Sequence, residues 1–137
     1  MKNTITYLKD NQAVISQQGL IGRVIEVISD HATVQLLTDP ANRVAARVES
    51  SRDMGIVRYV SGMNMILENF PVHGAIQVGD TIISSGLGGV YPPGLRVGVV
   101  TEVEREEHEP FAKVKLEPVA NFHAIEEIFL VRPDDRR

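Results

Sequence analysis

The 137 residues carry 14 Lys and Arg against 18 Asp and Glu, a net charge of −4, and 43% of them are apolar. That balance suits one folded domain or two very small ones, not a disordered chain, and lacks the basic surplus a duplex-binding protein brings to phosphates. With no cysteine, disulfides, thiolate metal sites and a cysteine nucleophile are excluded, while the compartment stays open. The start, Met1-Lys2-Asn3-Thr4, has no apolar signal core. No run approaches the roughly 18 apolar residues of a membrane span, so an anchor is expected only outside this sequence.

In chain order, a strand is predicted over residues 4–8, then over Leu20–Ile28 and 33–37, all rich in β-branched residues. Val44, Ala46 and Val48 alternate with Arg43, Arg47 and Glu49, the period of two that separates a buried from a wet strand face. Strands follow at 55–60, 63–67 and Thr81–Ser84. Val99, Thr101 and Val103 oppose Val100, Glu102 and Glu104, and Ala112, Val114 and Leu116 alternate with Lys113, Lys115 and Glu117. A short helix is predicted over 122–127 with Asn121 as its N-cap, then a closing strand over 128–131 that buries Phe129. The polar tail 133–137 is expected to fray.

Turn residues separate these runs: Ser29-Asp30, Ser51-Arg52-Asp53, Ser61-Gly62, Gly79-Asp80 and Pro92-Pro93-Gly94. Short strands at intervals of about 8–12 residues point to an all-β, antiparallel barrel or sandwich with at most one short helix. The polar segment 49–54 is the expected division between a first barrel, residues 1–50, and a second, residues 51–137.

The most informative stretch runs from Gly79-Asp80 through Gly86-Leu87-Gly88-Gly89 to Tyr91-Pro92-Pro93-Gly94 and Gly98. It reads as a strand, a tight loop, a proline turn and a second strand, with Gly88 or Gly89 in a conformation closed to a β-carbon. A phosphate loop would lead into a helix N-terminus, but here the glycines lead into Val90-Tyr91-Pro92-Pro93. A serine hydrolase would draw on Ser84 or Ser85 with His31 and Asp39 or Asp53; a double barrel can host such a triad, yet the Gly-Asp-Ser-Gly pattern is missing. His31, His73, His108 and His123 stand at no metal-ligand spacing and read as loop residues. No cofactor or metal is expected.

The same stretch, Gly79 to Gly98, closely resembles the signature of the MreC family, rod shape-determining proteins. Gly19-Leu20-Ile21-Gly22-Arg23-Val24, Leu37-Thr38-Asp39-Pro40, Pro118-Val119-Ala120-Asn121 and Ile125-Glu126-Glu127-Ile128 resemble further family blocks in the expected order. The resemblance implies two packed six-stranded antiparallel β-barrels outside the cytoplasmic membrane, in the periplasm or its equivalent. It implies a non-enzymatic scaffold of the cell-wall elongation machinery. The partners would be the elongation-specific penicillin-binding transpeptidase, the membrane protein MreD, other elongation-complex proteins and further copies of the family member. The family's membrane helix and coiled coil are absent from the sequence. Its strand–turn–strand before Gly19 is shortened to a connection at residues 7–11, so an incomplete first barrel with an exposed edge and self-association is expected.

Interface energy concentrates in a few anchors, and aromatic residues are 5% of this chain. Of Tyr59, Phe70, Tyr91, Phe111, Phe122 and Phe129, the two in loop contexts before proline, Phe70 and Tyr91, are the candidates, with Leu87 beside Tyr91. The alternative is that Tyr91 and Leu87 plug a barrel end.

Overall fold

The structure, a computed structural model, describes residues 11–131; the strand predicted over 4–8 and the tail 133–137 lie outside them. Among the described residues ten strands form: β1 (Ala13–Ile15), β2 (Leu20–Ile28), β3 (His31–Leu36), β4 (Val44–Val48), β5 (Met54–Ser61), β6 (Asn64–Glu68), β7 (Thr81–Ser84), β8 (Arg96–Glu104), β9 (Lys113–Pro118) and β10 (Phe129–Leu130). They make a four-stranded antiparallel sheet, in the order β10-β1-β2-β3, and a closed six-stranded barrel, β4-β5-β6-β9-β8-β7.

The period-two pattern decides which faces turn inward. On β4, Val44, Ala46 and Val48 are fully buried while Ala45 and Arg47 are half-exposed; on β9, Val114 and Leu116 are buried and Lys113, Lys115 and Glu117 exposed. With Val57, Met65, Leu67, Ile82, Val97 and Val100 they fill the barrel. Each valine, leucine, isoleucine and methionine among them contributes roughly 1.5–3 kcal/mol through burial. Pairing of β4 with β7, Ala46 opposite Ser84 and Val48 opposite Ile82, closes the ring and leaves it no free edge. A smaller core of Val14, Ile21, Val24 and Ala120 lies in the sheet unit, with Val34, Phe122 and Leu130 against it.

Several sequence expectations are corrected. The division at 49–54 falls inside the barrel: β4 pairs with β5, so the hairpin that was to separate the units is part of one of them. The barrel runs from β4 to β9, and the chain then returns to the sheet, where β10 pairs with β1 through Val14–Leu130 and Ile15–Phe129. Residues 1–50 are therefore not a unit; among the described residues the other unit is a four-stranded sheet, compatible with the second barrel expected. No helix forms over 122–127; Asn121 instead closes a turn, its carbonyl accepting from the Ala124 amide at 3.2 Å and its Oδ1 from the His123 amide at 3.0 Å. Phe129, expected in the core, is 46% exposed.

On β8 the face assignment reverses. Val100 opposes Leu116 and Glu102 opposes Lys115, which leaves Thr101 as an extra residue in a bulge. One inserted residue shifts the phase by one, so the buried Gly98 and Val100 face inward on one side of it and the half-buried Val103, opposite Val114, on the other; the buried Val97 falls at a second irregularity, where Ile82 opposes Gly98 and Ile83 opposes Arg96.

Candidate interaction loop

The loop over residues 85–94 grows from the end of β7 and returns at β8, and Ser84 pinches its base. The Ser84 amide donates to Leu95 O at 2.8 Å and its carbonyl accepts from the Gly94 amide at 2.9 Å. Its hydroxyl donates to Pro92 O at 2.6 Å and accepts from the Leu95 amide at 2.8 Å. A fully buried hydroxyl needs such partners, and these two occupy it. The Ser85 amide ties the rising arm to Ala45 O of β4 at 2.8 Å.

Within the loop Gly86, Gly88, Gly89 and Gly94 have φ between 74° and 90°. At Gly88 and Gly89 a β-carbon would meet nothing within 4 Å, so the backbone conformation, not space, requires glycine. At the start of the signature, Gly79 has φ 95°, and Asp80 accepts the Gln77 amide on Oδ2 at 2.9 Å to fix the turn into β7. Gly98 has a different reason. A β-carbon there would lie 2.5 Å from Glu117 O, so β8 and β9 approach more closely than a side chain permits.

The loop has two sides. Outward it presents Leu87, 59% exposed, between Gly86 and the exposed Gly88 and Gly89. Inward it buries Tyr91, 3% exposed, whose hydroxyl donates to Asn42 Oδ1 at 2.9 Å. Burial raises the Tyr91 pKa, which the bond to Asn42 and the nearby charge of Arg23 on β2 partly offset. Tyr91 is therefore a core residue, and its expected exposure is corrected; the loop folds back over the ring. Phe70 is corrected likewise. It is fully buried, with Gly74 packed so tightly on its ring that a β-carbon there would lie 2.5 Å from Cε2. Of the three anchor candidates, Leu87 alone faces outward.

The residues of the alternative triad are not brought together. Among the described residues His31 Nδ1 lies 2.8 Å from its neighbour Asp30, Asp39 accepts the Ala41 amide, Asp53 the Ala75 amide, and Ser85 Oγ the Leu87 amide. Among the described residues there is no cluster of three His, Asp or Glu suited to a metal ion and no helix long and apolar enough to cross a membrane.

Sequence reasoning missed Asn42, the partner of Tyr91, although it lies two residues beyond the Leu37-Thr38-Asp39-Pro40 block; an asparagine after Asp-Pro-Ala reads as an ordinary turn residue. It also missed Arg105, whose guanidinium donates to Val72 O, Gly74 O and Ile76 O and pins the segment that buries Phe70.

A closed barrel joined to an open sheet, with a glycine-rich loop folded between them, defines a two-unit antiparallel β-protein. Residues 4–132 match the family described as "Rod shape-determining protein MreC, barrel core". The cell shape-determining protein MreC of Escherichia coli is 28% identical over 98% of this chain and 37% of its own length. The crystal structure of MreC from Pseudomonas aeruginosa superposes with a TM-score of 0.84 at 31% identity, over 90% of this chain and 81% of that one. A complex of penicillin-binding protein PBP2 and MreC from Helicobacter pylori contains a chain with the same fold, TM-score 0.73 at 18% identity, over 90% of this chain and 79% of that one. The chain belongs to the MreC family. It spans between about a quarter and a half of the length of the curated relatives it matches.

Proposed function

We propose that this chain is the extracytoplasmic part of a cell-shape scaffold, and that it organises peptidoglycan synthesis by binding proteins rather than by catalysis. Its first partner is the elongation-specific penicillin-binding transpeptidase, and the outer side of the loop, centred on Leu87, is part of the contact. The observation that carries this reading is the exposed Leu87 on a backbone braced by Ser84 and by the Tyr91–Asn42 bond. A preformed apolar anchor loses little conformational freedom on binding. That a chain of the same fold is found in a complex with PBP2 supports the choice of partner. MreD and other elongation-complex proteins complete the partners proposed. Membrane attachment would run through an anchor outside this sequence.

Self-association belongs to the same proposal. Among the described residues β3 and β10 are the outer strands of an open sheet, and an outer strand can template pairing with a second chain.

The test is sedimentation of the chain alone, at rising concentration, and mixed with the extracytoplasmic region of the transpeptidase from the same organism. A mixed complex and a reversible larger species of the chain alone are expected. Independent sedimentation of the two proteins up to high micromolar concentration would overturn the partner assignment.

A further inference from the structure

The chain passes between the two units twice, once from β3 to β4 and once from β9 to β10. Two attachments leave a body free to swing about the line joining them unless other contacts stop it. The crossing from β3 to β4 is held firmly. Asn42 sits on it, 2% exposed, with both the nitrogen and the oxygen of its amide engaged. Its Nδ2 donates to Gln35 O at 3.4 Å and Leu36 O at 3.2 Å, the last carbonyls of β3. Its Oδ1 accepts the Tyr91 hydroxyl from the barrel's signature loop. The loop is in turn tied to β4 through the Ser85 amide and Ala45 O. Hydrogen bonds therefore run from β3 through the buried Asn42 to Tyr91, and the loop backbone carries the connection on to the barrel wall.

We infer that Tyr91 and Asn42 form a latch that sets the angle between the sheet unit and the barrel, so that the signature loop is an orientation device as well as a surface. The bond joins two buried side chains, and its loss leaves Asn42 Oδ1 as an unsatisfied buried acceptor, a state structures avoid. Leu87 need not touch a partner for the latch to hold, because only the inner side of the loop takes part. A second contact shares the load. Arg96 of β8 donates from Nη2 to Gln17 O at 3.2 Å, and a β-carbon on Gly19 would lie 2.6 Å from Arg96 O, so the β1–β2 turn is seated closely on the barrel. That contact touches the turn, whereas the latch grips the end of β3.

Residual dipolar couplings on the isotopically labelled chain measure the angle directly, because each unit reports its own alignment tensor. In the unaltered chain one tensor should fit both. Tyr91→Phe removes only the hydroxyl; Asn42→Asp keeps an acceptor for Tyr91 but deletes the donors to Gln35 O and Leu36 O, cutting the path at its other end. With either variant the couplings within each unit should remain self-consistent while the two units require different tensors. A shared tensor, unchanged in orientation, in whichever of the variants folds would overturn the latch, even if its melting temperature falls. A lowered melt reports lost stability, and only the tensors report the angle.

Discussion

The Tyr91 hydroxyl and Asn42 Oδ1 meet at 2.9 Å across 49 residues of sequence, both side chains buried. Burial holds the Tyr91 proton on above the ordinary phenol range. Below about pH 10 the folded and unfolded chains both keep this proton, and the contribution is fully present. As the pH climbs, the unfolded chain releases its proton first and is lowered in free energy relative to the fold, so stability falls until the pH passes the raised folded value. Urea midpoints from about pH 8 to 11.5, a range that spans the ordinary tyrosine value, should therefore drop more steeply for the unaltered chain than for Tyr91→Phe. A gap between the two that stays constant with pH would show that Tyr91 does not carry the effect.

Gly88 and Gly89 should resist substitution through backbone strain alone. With φ at 84° and 74° and open space where a side chain would go, valine at either position should destabilise by roughly 1–3 kcal/mol. Thermal and urea melts of each variant check this. Unchanged melts at both positions would mean that the loop relaxes to negative φ without loss.

Gly98 should fail for the opposite reason. Its φ is ordinary, and the obstacle is Glu117 O, 2.5 Å from where a β-carbon would stand. Gly98→Ala should push β8 away from β9 and destabilise by on the order of 1–3 kcal/mol, as overpacking does. Amide exchange should quicken along β8 and β9 while β4 and β5 change less. Protection lost evenly over the whole barrel would point to global unfolding instead.

How far these features were legible in the sequence depends on how local their causes are. β4 and β9 were readable because both faces obey one alternation from end to end. β8 was not, since the bulge at Thr101 reverses the alternation, and a bulge is fixed by the partner strand rather than by residues 99–104. Positive φ at Gly88 and Gly89 was readable because glycine clusters in a turn have few other uses. The burial of Phe70 and Tyr91 was not. Proline beside an aromatic marks a loop, but only the long-range closure by Arg105 and Asn42 turns those loops inward. The chain's return from barrel to sheet was hidden for the same reason, because β10 is two residues long and finds its partner at β1.

Phe70 and Leu87 should separate folding from binding. Phe70→Ala empties a fully buried site and should lower stability by about 3–5 kcal/mol. Leu87→Ala removes an exposed side chain and should shift stability by no more than about 0.5 kcal/mol. Denaturant titration of the two variants side by side checks the contrast. A comparable loss for Leu87→Ala would make it a packing residue of the barrel end.

Binding of the elongation transpeptidase by the outer side of the loop is tested most directly by calorimetry. The unaltered chain and Leu87→Ala are each titrated into that enzyme's extracytoplasmic region, with a thermal melt of each chain. The expected result is an affinity weakened about tenfold or more with an unchanged melt, the loss of an interface anchor worth over about 1 kcal/mol. Equal affinity for the two chains, both fully folded, would contradict that binding mode and move the contact away from this loop.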